Sequence, residues 1–488
     1  MGLLIVLAIP LVLALASSLT GRKPLLDRLH IAGYAVSALA GGMLLFDCLF
    51  AGKDLYFLRS FLFADALNAF FIFTVSVVTF CAALYSAGYL AKDIERKAIT
   101  PAMVRPYYLL LDLFVFTMLL VLSVNNLGFM WIAIEMTTLV SAFLVGFYRT
   151  KESVEASWKY IIVCTVGIII ALIGTILYYY AGSRTGCAGS LNWTSMFSCA
   201  ATLDKNVLRI AFVFILIGFG TKAGIAPMHT WLPDAHSQAV SPVSALLSGV
   251  LLKTALYAII RYAMILNACL GQSLFSGKLF VLFGLVCLAI ASGFVFVQRD
   301  LKRLLAYSSI EHIGIICIGL GVGGVLGFCA ALLHVFNHAV TKSLMFFSAG
   351  RMVGHYGKHS MSSIRGVIRT MPFVGPVFLL GAFALSGFPP FSLFVSELLV
   401  LVAAFLKGSY WTAGLVIVFL ALMFAGLMFH FSRMLFGRRP EGQPEAKEPL
   451  SIKLALLLLL LIMTAAAVAV PMLAGSPAAA RLAFFAGG

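Results

Sequence analysis

Residues 218–242 read GFGTKAGIAPMHTWLPDAHSQAVSP, and residues 384–400 read ALSGFPPFSLFVSELLV. Both lie in apolar helical stretches that are cut short, by Pro227 in the first and by Pro389 and Pro390 in the second. Proline has no N–H to donate and collides with the preceding helical turn; the glycines beside it let the chain bend. At membrane depth such a break leaves amides and carbonyls unpaired, which is tolerated only inside protein or beside a wet cavity. Paired breaks in the two halves of a chain are the best sequence pointer to inverted repeats around a midplane ion site.

The remaining sequence makes a membrane the setting. Of 488 residues, 62% are hydrophobic and only 11% charged, with a mean hydropathy of +1.05; about 25% charged is ordinary for a soluble domain. The apolar residues recur in runs of roughly 20, the helix length that crosses a hydrocarbon layer of about 30 Å. The alternating short segments of a β-barrel are absent. Fourteen segments fall at 3–20, 30–51, 62–90, 107–123, 126–148, 157–181, 207–228, 240–266, 279–298, 304–322, 325–349, 372–404, 409–435 and 452–473. The first lacks a basic leader and is followed directly by another span, so it reads as a span rather than a cleaved signal.

The breaks fall in the seventh and twelfth segments, and an odd spacing of five sets two repeats in opposite orientation. The expected architecture is an all-α polytopic membrane protein of about 14 helices. Residues 1–106 hold helices 1–3, 107–266 the first five-helix repeat (4–8), 279–435 the second (9–13), and 452–473 helix 14. The net charge of +16 is read as positive-inside bias and not as a nucleic-acid surface. Arg22, Lys23 and Arg28, then Lys92, Arg96, Lys97 and Arg105, and later Arg299, Lys302, Arg303, Arg351, Lys358, Arg365, Arg369, Arg433, Arg438 and Arg439 fall in alternate loops. Both termini are therefore expected outside the cell, with the chain in a cytoplasmic (inner) membrane. Nine scattered cysteines without a CxxC offer no clustered thiolates for iron–sulfur or structural zinc. Cys187 and Cys199 share a loop and can pair if it faces an oxidising compartment.

A charge at the bilayer centre costs at least about 2.5–3.5 kcal/mol on insertion scales, so mid-span charges need a reason. Glu135 lies in the fifth segment, Lys222 just before the first break, Lys253 in the eighth segment, His334, His338 and Lys342 in the eleventh, and Glu397 after the second break. The spacing i, i+4, i+8 puts His334, His338 and Lys342 on one helix face, about 6 Å apart at 1.5 Å per residue. Lys253, Tyr257 and Arg261 repeat the pattern. Supporting polar groups are His229, Asp234 and His236 around the first break, with Tyr257, Glu311 and His312. A lysine in low-dielectric surroundings loses basicity and regains it when a carboxylate approaches. A line of Glu, Lys, Lys, His, Lys and Glu is thus suited to passing protons stepwise, although the same residue set is compatible with Na⁺.

Plainer readings apply elsewhere. A lone intramembrane histidine more often bonds helix to helix. Arg261 and Lys407 are expected to snorkel to the interface, and Asp65 and Asp112 to cap or pack. Glu152, Glu155 and Lys159 suit a solvated face, and GLGVGG at 319–324 follows no strand and is no phosphate loop.

TKAGIAPMHTWLPDAH followed by SPVSALLSGVLLKTALYAIIRY resembles the antiporter-like membrane subunits of respiratory complex I, Mrp-type cation/proton antiporters and group 4 hydrogenases, over about residues 65–435. The segments IEMTTLVSAFLVGFYRTKESVEASWKYI and LLAYSSIEHIG are most similar to the F-type membrane subunits of hydrogenase-4, while the Glu311–His312 pair departs from the complex I pattern. The resemblance implies that Glu135 pairs with Lys222, that Lys253 is central, that His334, His338 and Lys342 serve the second repeat, and that Glu397 is the terminal group. It also implies no cofactor in this chain, with nickel–iron and iron–sulfur centres in partner subunits. Expected partners are the lipid bilayer, other antiporter-like and small membrane subunits, and peripheral hydrogenase or dehydrogenase subunits. The alternative it leaves open is an Mrp-type Na⁺/proton antiporter subunit with no redox partner. The long amphipathic helix that ends some paralogues has no counterpart in this sequence.

Overall fold

In the computed structural model, residues 2–184, 190–438, 444–473 and 481 are described. Helices α1 (Gly2–Leu19), α2 (Lys23–Leu45), α3 (Ala66–Glu95), α4 (Val104–Ser123), α5 (Leu127–Val145) and α6 (Lys151–Ser183) open the chain. Helix α7 is in two pieces, Lys205–Ala223 and Leu232–Gln238, and α8 runs over Ser241–Leu270. Then come α9 (Leu274–Phe294), α10 (Leu301–Val322) and α11 (Gly324–Tyr356). Helix α12 is again in two pieces, Val374–Leu385 and Ser392–Leu406, before α13 (Tyr410–Leu435) and α14 (Leu450–Leu473). Among the described residues thirteen helices are long and apolar enough to cross a membrane, and the halves of α12 supply the fourteenth span. The chain is a polytopic integral membrane protein with both breaks where the prolines lie.

Helix starts follow from side-chain caps, which satisfy amides that have no partner in the first turn. Asp65 caps α3 with Asn68 answering in a capping box, Asn126 accepts from the amides of Gly128 and Phe129, and Thr150, Asp204 and Asp300 cap α6, α7 and α10. The first piece of α7 stops at Gly224, whose φ of 76° is left-handed. Close packing relies on small residues: a Cβ on Gly284 in α9 would meet the carbonyl of Gly314 in α10 at 2.7 Å.

Helix α8 is the axis, since its most apolar 18-residue stretch is wholly buried, whereas in α13 and α14 only 28% of that stretch is buried. It is not a plain α-helix. Residues Leu247–Leu251 form a π turn, a feature that is rare and concentrated at functional sites.

Several expectations are corrected. Leu62–Ala64 belongs not to a span but to a hairpin with Leu55–Phe57, and α3 starts only after the Asp65 cap. Arg261 does not snorkel: it is 1% exposed, donates to Asp65 Oδ1 at 2.6 Å and to Tyr257 OH at 2.9 Å, and lies over the Trp193 ring. Asp65 is thus both cap and counter-ion. Asp112 is the centre of a buried cluster, accepting from Tyr34 OH at 2.7 Å and facing His30 Nε2 at 2.9 Å. Cys199 is disulfide-bonded, and Cys187, its expected partner, lies outside the described residues.

Candidate functional site

A line of buried polar side chains runs from α5 to α12. At its α5 end, Glu135 accepts from Thr165 at 3.1 Å through Oε1, while Oε2 is buried without a protein partner. Lys222, at the last turn before the α7 break, is fully buried. Its ammonium donates to Thr138 Oγ1 at 2.9 Å and to the Tyr160 hydroxyl, which in turn contacts Ser141 at 2.7 Å. Among the described residues no ion pair joins Lys222 to Glu135. The two are electrostatic neighbours, each hydrogen-bonded to other partners.

The loop within α7 folds back on this lysine. Trp231 donates to the Thr221 carbonyl at 2.8 Å and stacks near Tyr160, with 4.7 Å between ring centroids. His236 is buried between Trp231 and Phe346 with neither ring nitrogen bonded, in electrostatic reach of Lys342, Lys253 and Lys302. His229 leaves Nδ1 unpartnered beside Tyr307. Asp234 stands apart from the line, at the bundle end opposite the hairpin, paired with Arg303 and with Lys159 at 3.3 Å.

Lys253 follows the π turn of α8, and its ammonium donates to the Ser248 carbonyl within that turn. Ser248 touches Ser309 of α10 at 2.7 Å. One residue back, Ser308 accepts from Lys342 of α11, which also donates to the Leu305 carbonyl at 2.7 Å. The hydroxyl pair thus lies between the two lysines. One and two turns along the same face of α8 from Lys253, Tyr257 and Arg261 end in the Asp65 ion pair.

Beyond Lys342 the line becomes imidazole and carboxylate. Glu311 of α10 has Oε2 buried without a partner and is an electrostatic neighbour of Lys342 and Glu397. His312 Nδ1 lies 3.0 Å from His334 Nε2, and His334 Nδ1 lies 2.9 Å from Ser396 Oγ in α12. His338 has neither ring nitrogen bonded, and its ring centroid lies 4.6 Å from that of His312. Glu397 closes the series with Oε1 3.9 Å from His312 Nδ1. The α11 face expected from the sequence is present, and all three of its members are buried.

Two clefts flank the line. At the end opposite the hairpin, one of about 620 Å³ is lined by Asp93, Arg96, Glu152, Asp300, Lys302 and His359. There Lys302 reaches inward to the Ala239 carbonyl at 2.7 Å. Burial, and then nearby Lys302, hold His359 below the ordinary imidazole range against the pull of Asp300. At the hairpin end a cleft of about 410 Å³ is lined by Asp54, Asp65 and Trp193. Lys302, the Asp65–Arg261 pair and the hydroxyls of Thr138, Tyr160 and Ser309 were not singled out as site residues from sequence. Arg261 had a signal there as the third member of the Lys253 series, and Lys302 and Ser309 as polar residues at the start of the tenth segment.

The arrangement defines a class: a multi-spanning helical protein with titratable groups threaded through its interior. Residues 124–436 match the family described as NADH:quinone oxidoreductase/Mrp antiporter, TM, and the chain belongs to that family. It is 43% identical over 351 residues to a hydrogenase-4 component F homolog of Methylacidiphilum infernorum (isolate V4), covering 72% of this chain and 74% of that protein. It is 31% identical to hydrogenase-4 component B of Escherichia coli (strain K12), across 76% of this chain but 57% of that protein. A chain of the archaeal membrane-bound sulfane sulfur reductase superimposes with a TM-score of 0.86 at 23% identity over 99% of this chain and 97% of its own. A chain of the Mrp complex from Dietzia sp. DQ12-45-1b gives 0.84 at 20%, over 99% and 96%. These two likenesses show the fold.

Proposed function

We propose that this chain is the proton-translocating, antiporter-like membrane subunit of a hydrogenase-4-like or complex I-like oxidoreductase. The observation that carries the reading is the succession of buried titratable groups, Glu135, Lys222, Lys253, Lys342, His338, His312, His334 and Glu397, with the Ser248–Ser309 hydroxyls between Lys253 and Lys342 and direct contact between His312 and His334. A buried polar atom without a partner costs about 1–3 kcal/mol. Glu135, His236, Glu311, His312 and His338 all carry such atoms, and a hydrated proton path removes that cost.

In this reading the cleft at Lys302 and Asp93 admits protons, His236 hands them to the lysines, and field effects between neighbouring charges set the order of transfer. Moving one charge against 100 mV requires about 2.3 kcal/mol, so the line is driven by partner subunits, to which the nickel–iron and iron–sulfur chemistry is assigned. Residues 107–266 and 279–435 act as two inverted repeats, each with its broken helix. Loop charge sets both termini outside a prokaryotic cytoplasmic membrane. Phe388, Pro389 and Pro390 in the α12 break are exposed, and Glu135 at the far end is half-buried. A broken backbone does not face lipid, so a neighbouring membrane subunit covers the α12 break.

The second reading is a subunit of an Mrp-type Na⁺/proton antiporter with no redox partner. It is favoured by 30% identity over 352 residues to Na⁺/H⁺ antiporter subunit A1 of Staphylococcus haemolyticus (strain JCSC1435). Mass spectrometry of the intact assembly purified from native membranes separates the two. Hydrogenase subunits with bound nickel and iron support the first, and small membrane subunits alone support the second. If vesicles holding the whole assembly move neither protons nor Na⁺, both fall.

A further inference from the structure

We propose that His312, His334 and Glu397 form a binding site for a divalent transition-metal ion, with Zn²⁺ as the test ion, and that its occupancy blocks the proton line. Metal binding rests on the geometry alone; the block rests on the function proposed above.

The three side chains come from α10, α11 and α12, and their ligating atoms lie within 4.8 Å of one another. With metal–ligand bonds of about 2.0–2.2 Å, two ligands on a tetrahedral ion stand about 3.3 Å apart. The observed separations, 3.0 Å from His312 Nδ1 to His334 Nε2 and 3.9 Å from His312 Nδ1 to Glu397 Oε1, bracket that value. Small side-chain shifts suffice. No other group of three His, Cys, Asp or Glu side chains converges in this way among the described residues.

The outer contacts point the same way. Ser396 Oγ lies 2.9 Å from the Leu393 carbonyl, 3.3 Å from the Ser392 carbonyl and 2.9 Å from His334 Nδ1. In the tautomer in which the hydroxyl gives its proton to a carbonyl and accepts from Nδ1–H, the His334 Nε2 lone pair faces inward, as ordered second contacts arrange at metal sites. His338, with both ring nitrogens unbonded and its ring 4.6 Å from that of His312, is placed to supply a fourth ligand. Glu311, an electrostatic neighbour of Glu397, leaves a further carboxyl oxygen free nearby. Imidazole with carboxylate selects zinc, nickel or copper over calcium and magnesium, which take all-oxygen shells. Of the three ligands only Glu397 retains exposure, 6%, and it lies against Gly387 in the exposed break of α12.

An ion here would take the lone pairs between which His312 and His334 share a proton, and metal binding expels that proton. The relay and the metal therefore compete for the same atoms.

The test uses the chelator-stripped assembly in detergent, titrated with Zn²⁺, with bound zinc counted by elemental mass spectrometry and its shell read by X-ray absorption. The expected result is one zinc with nitrogen and oxygen ligands, weakened at least tenfold by His312→Gln or His334→Gln. Ser396→Ala, a smaller change, should weaken it about tenfold, while His359→Gln should leave it unchanged. Sulfur in the shell, or retention by a correctly assembled His312→Gln/His334→Gln variant, overturns the site, as does unaltered binding by Ser396→Ala. In vesicles, zinc should abolish proton movement by the wild type. Binding without slowing keeps the site and overturns the block.

Discussion

Gly387 and Glu397 face one another across the break in α12, so closely that a Cβ on Gly387 would overlap the Glu397 carboxylate. Gly387 also has a φ of +68°, a left-handed conformation that costs other residues about 1–2 kcal/mol. Gly387→Ala should therefore displace the terminal carboxylate as well as strain the turn. The expected outcome is a loss of about tenfold or more in proton movement, measured by vesicle acidification, with the assembly intact on size exclusion. Wild-type rates would mean that the position of Glu397 is immaterial.

Among the described residues Lys222 is bonded to Thr138 and Tyr160 and Glu135 to Thr165, with no ion pair between them. Lys222→Ala and Glu135→Gln should each abolish coupled proton movement without loss of assembly. Tyr160→Phe removes an acceptor of the Lys222 ammonium and the contact with Ser141; a hydrogen bond to a charged group is worth about 1.5–3 kcal/mol, and transfer should slow about tenfold or more. Normal pumping by either charge variant removes that residue from the path.

Lys253→Ala leaves the Ser248 carbonyl of the π turn without its donor and cuts the line between the two halves. Proton movement should cease, while Lys253→Arg, which keeps a charge but cannot release its proton, should rescue assembly and not transport. Transport restored by arginine would show that charge alone is needed there.

The Asp65–Arg261 pair should govern stability. Asp65→Asn retains a capping side chain but strands a buried guanidinium, a defect worth about 3–5 kcal/mol, and the unfolding midpoint in detergent should fall by several degrees. Adding Arg261→Met should recover most of it. An unchanged midpoint in Asp65→Asn would show that the pair contributes little.

What the sequence disclosed and what it hid divide along physical lines. The breaks at Pro227 and at Pro389–Pro390 were legible because proline acts locally. The α11 face of His334, His338 and Lys342 was legible because helical periodicity is local too. Asp112 with His30, and Arg261 with Asp65, were misjudged because their partners lie 82 and 196 residues away. A charge near a span end looks the same whether it meets water or a counter-ion. The π turn before Lys253 has no composition of its own, since LSGVL reads like any apolar helix. The hydroxyls of Thr138 and Tyr160 escaped notice for the opposite reason: they are common residues given meaning only by what they touch.

The guanidinium of Arg351, near the end of α11, holds the Glu448 carboxylate through two bonds of 2.6 and 3.2 Å, just ahead of α14, in a buried setting. That clamp harnesses the final span to the rod bearing His334, His338 and Lys342. The last helix, outwardly a passive strut, is thereby fastened to the rod on which those imidazoles sit, so a neighbour that displaces it strains this fork first.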